Sequence, residues 1–495
     1  MAPSRLHTAV SLGSSSASGA WRREPDAPLR MLLLADLGGS ARLSLAQRQP
    51  LAVDIDSFDA LFGRVQPGLL LDLEGQSLRC AFESLDDFHP DALLARLPVF
   101  EALRRLREEL KDPAQFRRVA AALGVPDPSP AAATVPATSA DAGADVQRLL
   151  GRPLSEPQPT APNVADALQA WLRQTMAPHL QPNVSHEQGA LRAAADAALG
   201  TLMRRVLHHP RLQALEAAWL GIDRLVRELE LGETMQLWVL DISREEIEAE
   251  IAAHHADLSG SYLHRWLCGR EAADSPRWGL WVVDQAFGPG AGDVQMLAAL
   301  GALAARASAP LLAAALPQAA GAANWAQLRE PGTWLAEDNP ALVHWSALRS
   351  SPMANWIGLA LPRVLMRLPY GQTTDPITSF SFEEMSTPRE HEAYLWGHAG
   401  AALALLAGRA FAQDGWNLSL DSQLMLDDLP SCVVEEDGTK HQQPGAELLL
   451  SEQSAAALAE RGLMPLMSWK DRPAASLLRW QSVAQPLAPL SGLGA

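Results

Sequence analysis

The sequence predicts an α/β fold, and three observations carry the prediction. Short apolar runs, Met235 to Asp241 (MQLWVLD), Trp278 to Gln285 (WGLWVVDQ) and Pro310 to Ala315 (PLLAAA), read as strands that alternate with amphipathic helices. That alternation implies a parallel or mixed sheet. A continuous apolar run, Leu29 to Leu37, closes on Gly38-Gly39, as a buried strand ending in a turn does. Finally, Ala, Leu and Gly fill nearly every face of a helix over Leu395 to Ala412, so other elements must cover it on all sides.

Taken in order, Met1 to Ala27 is small and polar and is expected to be disordered. Residues 28–123 read as a compact α+β unit with a βαββα order. Its strands are Leu29 to Leu37, Pro50 to Asp54 and the hairpin Leu69 to Leu73 with Leu78 to Phe82; its helices are Ile55 to Val65 and Pro98 to Leu110. Residues 124–163, rich in Pro, Ala, Ser and Thr, read as a flexible linker with a span of roughly 35 Å.

Residues 164–484 form the larger α/β domain. Leu191 to His208 and Leu212 to Glu230 are helices; Ser243 with Glu246 three residues on is a capping box opening a helix from Arg244 to His254. Val294 to Ala307 is helical and Trp356 to Leu361 is a fourth strand. Cys432 to Glu435 and Glu447 to Leu450 are expected as short strands around Glu436-Asp437-Gly438, and Ser454 to Arg461 as a last helix closed by Gly462. The low-complexity stretch 485–495 is expected to be a disordered tail.

The composition excludes several functions. Apolar residues make up 48% and charged residues 20%, as in ordinary globular proteins. Acids outnumber Lys and Arg by 57 to 40, which argues against nucleic acid or anionic membrane as the main partner. Three widely spaced cysteines, Cys80, Cys268 and Cys432, form no disulfide framework and suit a reducing, cytoplasmic setting. The N-terminus lacks the basic start and long apolar core of a secretory signal. The alanine-rich run Ala298 to Leu316 reads as buried helix, with no direct membrane insertion.

Candidate chemistry is sparse. The loop Gly288 to Asp293 follows a strand and precedes a helix, where a phosphate cradle would lie. It lacks the Lys-Ser/Thr of a P-loop and the GxGxxG spacing, so Asp293 as a helix cap is the favoured reading. Asp54 with Asp56, and Asp86 with Asp87, are carboxylate pairs of a type that binds Mg²⁺, yet Asp56 and Asp87 stand where carboxylates cap helices. His208-His209 and His254-His255 point about 100° apart on a helix and read as helix C-terminal residues. No catalytic, cofactor-binding or metal-binding residue is assigned, and no cofactor is expected.

Two blocks carry a family resemblance. Val53-Asp54-Ile55-Asp56-Ser57-Phe58-Asp59, then Glu83 to Asp91 with Asp86, Asp87 and Phe88, resemble the small subunit of the type VI secretion contractile sheath (TssB, or VipA). His209-Pro210 through Trp219-Leu220-Gly221, Leu361-Pro362-Arg363, Leu368-Pro369-Tyr370-Gly371, Tyr394-Leu395-Trp396-Gly397 and Asp414-Gly415-Trp416 resemble the large subunit (TssC, or VipB). The chain thus looks like a small–large fusion.

The resemblance implies a phage-tail-sheath-like, non-catalytic protein. It would assemble with copies of itself or other sheath subunits, around an inner tube, on a baseplate, with a ClpV-type AAA+ ATPase dismantling the spent sheath. Asp54, Asp56, Phe58, Asp86, Asp87, Phe88, Trp219, Tyr394, Trp396 and Trp416 are the structural motif residues it implies. The large subunits that the second block resembles continue past the position of Gly462 to Leu466 with strands exchanged between neighbours. An accessory adaptor binding the sheath or its ATPase is therefore a second expectation, and a nucleotide-binding enzyme using Gly288 to Asp293 a third.

Overall fold

The computed structural model describes residues 26–39, 43–73, 76–112, 115, 116, 118, 174–176, 188–269, 277–385, 390–436, 439–469 and 472–493. The expected linker, 124–163, and nearly all of the expected N-terminal disorder lie outside them.

The strands are β1 (Leu29–Ala35), β2 (Leu51–Val53), β3 (Gly68–Leu73), β4 (Gln76–Ala81), β5 (Met235–Asp241), β6 (Leu280–Phe287), β7 (Leu311–Ala315), β8 (Ile357–Leu361), β9 (Val364–Leu365), β10 (Trp396–Gly397), β11 (Met425–Leu426), β12 (Cys432–Glu436), β13 (Thr439–Gln443), β14 (Met464–Ser468) and β15 (Ala475–Leu477). The helices are α1 (Phe58–Val65), α2 (Pro90–Arg96), α3 (Glu101–Glu109), α4 (Gln188–Leu207), α5 (Pro210–Glu228), α6 (Arg244–Ala253), α7 (Tyr262–Leu267), α8 (Ala291–Ala307), α9 (Val343–Arg349), α10 (Ala399–Asp414) and α11 (Glu452–Glu460).

Nine strands form one mixed sheet in the order β11-β15-β14-β8-β7-β6-β1-β5-β2. The six strands from β14 to β5 run parallel, and β2, β15 and β11 are antiparallel to their neighbours. Parallel strands covered on both faces must be apolar throughout. All seven residues of β1 are buried, which explains the unbroken run in the sequence.

β1 overturns the expected self-contained unit at 28–123. It lies between β5 and β6, pairing Leu29 with Met235 on one side and Met31 with Leu280 on the other. β2 also pairs with β5. A strand so apolar cannot end a small sheet; it is buried only as a central strand of a large one.

α10 crosses beneath β6, β7 and β8, and nearly every residue of its first three turns is buried, as its composition requires. It starts at Ala399, because Trp396-Gly397 forms β10 beside β9. Gly400 allows the close approach: a Cβ there would lie 3.3 Å from Ala313 Cα. On the other face, Leu32, Leu240, Trp281 and Val283 pack with Ile247, Trp266, Leu297 and Leu300 of α6, α7 and α8. α8 carries the alanine-rich run, and no helix among the described residues is long and apolar enough to cross a membrane.

The chain forms two compact units. One holds the sheet and draws on the chain up to His89, on Leu207–Asp375 and from Met385 onward; the other comprises Pro90–Val206 and Pro376–Glu384. In the second, Leu103 and Leu106 of α3 and Leu199 and Leu202 of α4 are buried, and Arg107 pairs with Asp196 at 2.6 Å. Asp91 of α2 accepts hydrogen bonds from Thr378 and Ser379. The helix pair therefore joins residues from both sides of the expected linker.

Two further expectations fail. β12 pairs with β13, not with Glu447 to Leu450, which carries no strand. Only two residues of sequence separate β12 from β13, and a short connection costs less to close than a long one. Residues 485–493 are not a disordered tail: Leu490 and Leu493 are buried, Gln485 N–H donates to Arg349 O and Ser491 N–H to Asn355 O. Two leucines, invisible within a simple-looking stretch, supply the apolar anchor.

Candidate assembly elements and a buried ion-pair cluster

The residues singled out from the sequence fall on several elements. Asp54 follows β2, where its carboxylate accepts from Ser57 N–H (2.8 Å) and Ser57 Oγ (2.6 Å). The Ser57 hydroxyl, with the backbone N–H groups of the turn, holds this carboxyl below its usual range. The turn makes Ser57 the residue before α1, so Asp56 does not cap the helix and stands exposed. Asp87 does cap, but from inside the short turn Leu85–Phe88, accepting from Glu83 N–H (2.6 Å) and Ser84 N–H (3.2 Å). Asp86 is exposed on the same turn. The two carboxylate pairs therefore shape separate turns.

The aromatic motif residues build core, except Trp416, which is half-buried. Phe58 meets Trp219 edge-on at 6.0 Å, and Phe62 lies 4.3 Å from the same ring. Trp219 Nε1 donates to Leu37 O at 3.3 Å. Phe88 stacks on Phe82 at 4.2 Å. Tyr394 and Trp396 form a pair at 5.7 Å, and Trp416 packs on Phe411 while donating to Ala27 O.

The glycine loop supplies its own anion. Asp293, in the first turn of α8, accepts from Gly288 N–H at 2.6 Å and pairs with Arg244; Gly290 holds the cap position. His208 directly follows the end of α4, whereas His209 lies at the N-terminus of α5: its Nδ1 accepts from Arg211 N–H at 3.2 Å. Burial, reinforced by Arg211, lowers its pKa. His254 does end a helix, with Nδ1 3.0 Å from Glu250 O. Burial pushes the Cys80 thiol up to about 11 and the Cys268 thiol to about 12, so neither is a ready nucleophile.

The most concentrated polar site escaped the sequence reading. Glu447, whose side chain is fully buried, accepts from Arg363 Nε (2.9 Å) and Nη2 (2.5 Å) and contacts His391 Nε2 at 2.7 Å. Glu392 pairs with the same guanidinium at 3.1 Å, and His391 stacks on Trp396 at 5.3 Å. Burial alone would raise the Glu447 carboxyl, but the bonds from Arg363 and His391 outweigh it and hold it low.

His391, Glu392 and Glu447 place one ligand atom each within 4.8 Å of one another. Arg363 already forks onto the carboxylate, so the chemistry of the group is that of an ion-pair clip. The backbone agrees: Leu365 N–H donates to Gly445 O and Glu447 N–H to Arg363 O, so the clip joins β9, the turn before β10 and residues 445–447. The only local signal was one acid within the apolar run Ala446 to Leu450; its partners lie 84 and 56 positions away.

The comparisons with known proteins follow this architecture. The family model for the VipB tail sheath N-terminal domain (EvpB/VC_A0108) matches residues 190–484, more than half of the chain. The chain belongs to the VipB tail sheath family.

A second model, for the type VI secretion system proteins VipA, VC_A0107 or Hcp2, matches residues 10–116. The type VI secretion system sheath protein TssC1 of Pseudomonas aeruginosa is 30% identical over 302 residues, covering 59% of this chain and 61% of that relative. The chain thus spans about three-fifths of the length of the relative it matches. In this VipB-family chain the two matched segments share one sheet: β1 and β2 come from the VipA-like segment, and β5 to β8 and β14 from the VipB segment.

Proposed function

We propose that this chain is a structural, non-catalytic component of a type VI secretion sheath or a sheath-like assembly, acting in the cytoplasm through contacts between subunits. One observation carries the proposal: both sheath models match one chain, in order, and their segments interlock as strands of a single sheet. A fused small–large pair is a ready-made building block for such an assembly. The polar side chains support the same reading, since Asp54, Asp87 and His209 cap turns and helices while Glu447 and His391 clip strands.

Copies of this chain and other sheath subunits are its partners on this reading, with an inner tube, a baseplate and a ClpV-type ATPase as further contacts of the assembly. Co-expression with sheath subunits, followed by affinity capture and electron microscopy, tests it. Tubes or tube ends containing the chain are the expected result. A chain that stays monomeric and captures no sheath subunit would refute it.

A further inference from the structure

The VipA-like segment meets the VipB segment in a slot in the middle of the large sheet. β5 and β6 belong to the VipB segment, and β1 of the VipA-like segment separates them. β1 pairs with β5 from Leu29 to Ala35 and with β6 from Met31 to Leu34. Every residue of β1 is buried. Withdrawing the strand would strip both neighbours of their hydrogen-bond ladders and bare an apolar seam.

The slot is shaped for this strand. A Cβ on Gly279 would lie 2.6 Å from Leu29 Cδ1, so glycine leaves the room that Leu29 fills. Leu37 N–H donates to the Asp241 carboxylate at 2.9 Å, and Leu37 O accepts from Trp219 Nε1. Beside the strand, Phe58 and Phe62 close over Trp219, and Arg48 forks onto Glu246 at 2.6 and 2.8 Å. Each of these contacts joins the VipA-like segment to the VipB segment. Both segments sit on one chain, connected through the Pro-, Ala-, Ser- and Thr-rich stretch 124–163. A tether of that composition holds its ends at an effective concentration on the order of 0.1–1 mM. A separate copy of the small segment at about 1 µM is then outcompeted roughly a hundredfold or more.

We propose that the slot between β5 and β6 is a small-subunit docking site closed in cis. The chain is then a complete protomer: it refuses a free VipA-type subunit and offers its partners only surfaces outside the slot. The inference rests on the sheath reading above and deepens it. Among sheath subunits, one that must insert a strand between β5 and β6 is not a partner of this chain.

Co-expression of the full chain with an affinity-tagged copy of residues 1–123 tests it. The tagged copy should capture less than about 5% of the wild-type chain. Leu32 is fully buried in β1, so Leu32→Asp in the full chain disables the chain's own strand. That variant should be captured at least about tenfold more and be recovered in soluble form through the tagged copy. A tagged copy that itself carries Leu32→Asp should capture neither chain.

A second measurement keeps the native β1. The full chain with a protease site inserted within 124–163 is unfolded in urea, cut or left uncut, and refolded with an equimolar amount of the tagged copy. About half of the cut chains should take up the tagged copy, against less than about 5% of the uncut ones. Wild type captured as well as the Leu32→Asp chain, a Leu32→Asp chain that is not captured at all, or equal uptake by cut and uncut chains would overturn the proposal. If wild type takes up the tagged copy and still joins sheath subunits, the slot is open in trans and the sheath reading stands. If it refuses the tagged copy and joins no sheath subunit, the closed slot stands and the sheath reading falls.

Discussion

Replacing Trp219 by alanine tests whether the VipA-like and VipB segments share one core. The indole is fully buried on α5, sits 4.3 Å from Phe62 and 6.0 Å from Phe58 of α1, and donates to Leu37 O. Truncating a buried tryptophan costs about 3–5 kcal/mol, from lost transfer free energy and the cavity left behind. Domains are stable by only about 5–15 kcal/mol, so the loss should shift the urea midpoint of the sheet-bearing unit strongly.

Trp219→Phe keeps most of the volume and loses the bond to Leu37 O, for about 1–2 kcal/mol. A double-mutant cycle pairing Trp219→Ala with Phe62→Ala should show coupling of about 0.5–1.5 kcal/mol, since the two rings touch. Urea unfolding followed by far-UV circular dichroism reads all four chains. Energies that add to within about 0.3 kcal/mol, or a Trp219→Ala cost below about 1 kcal/mol, would refute the shared core.

Four other predictions follow from the same geometry. A protease site inserted within residues 124–163 and then cut should leave two fragments that co-elute on gel filtration and part only in denaturant, because β1 is hydrogen-bonded on both sides by β5 and β6. Arg363→Ala should destabilise the protein by about 3–5 kcal/mol by stranding the buried Glu447 carboxylate. Because the folded carboxyl is held below its ordinary value of 4.5, its contribution is present above that pH and lost as pH falls through the lower folded value. Acid unfolding curves of wild type and Glu447→Gln should therefore diverge above pH 4.5 and converge below it. His209 has its pKa lowered and must be neutral at Nδ1 to cap α5, so its stabilising effect is present above about pH 6.5 and fades as pH falls. His209→Asn, which caps at any pH, should flatten thermal stability between pH 5 and 7.

Several features could be read from the sequence because their cause is local. Continuous apolar runs marked β1, β5, β6, β7 and β8, since a strand covered on both faces has no polar side to show. Ser243 with Glu246 marked the start of α6, because a capping box is complete within four residues. The ordered motifs were enough for the sheath resemblance, and Phe58 and Trp219 proved to be core residues.

Only the tertiary structure decided what depends on distant partners. A strand carries no label for its neighbours, so the sequence could not say that β1 joins strands more than 200 residues away. Nor could it match Arg363 with Glu447, because an ion pair between loops leaves no period in either loop. Propensity, capping and burial pattern act over a few residues and are written along the chain. Pairing across a sheet is chosen by the free energy of the whole core, which exists only once the chain has closed on itself.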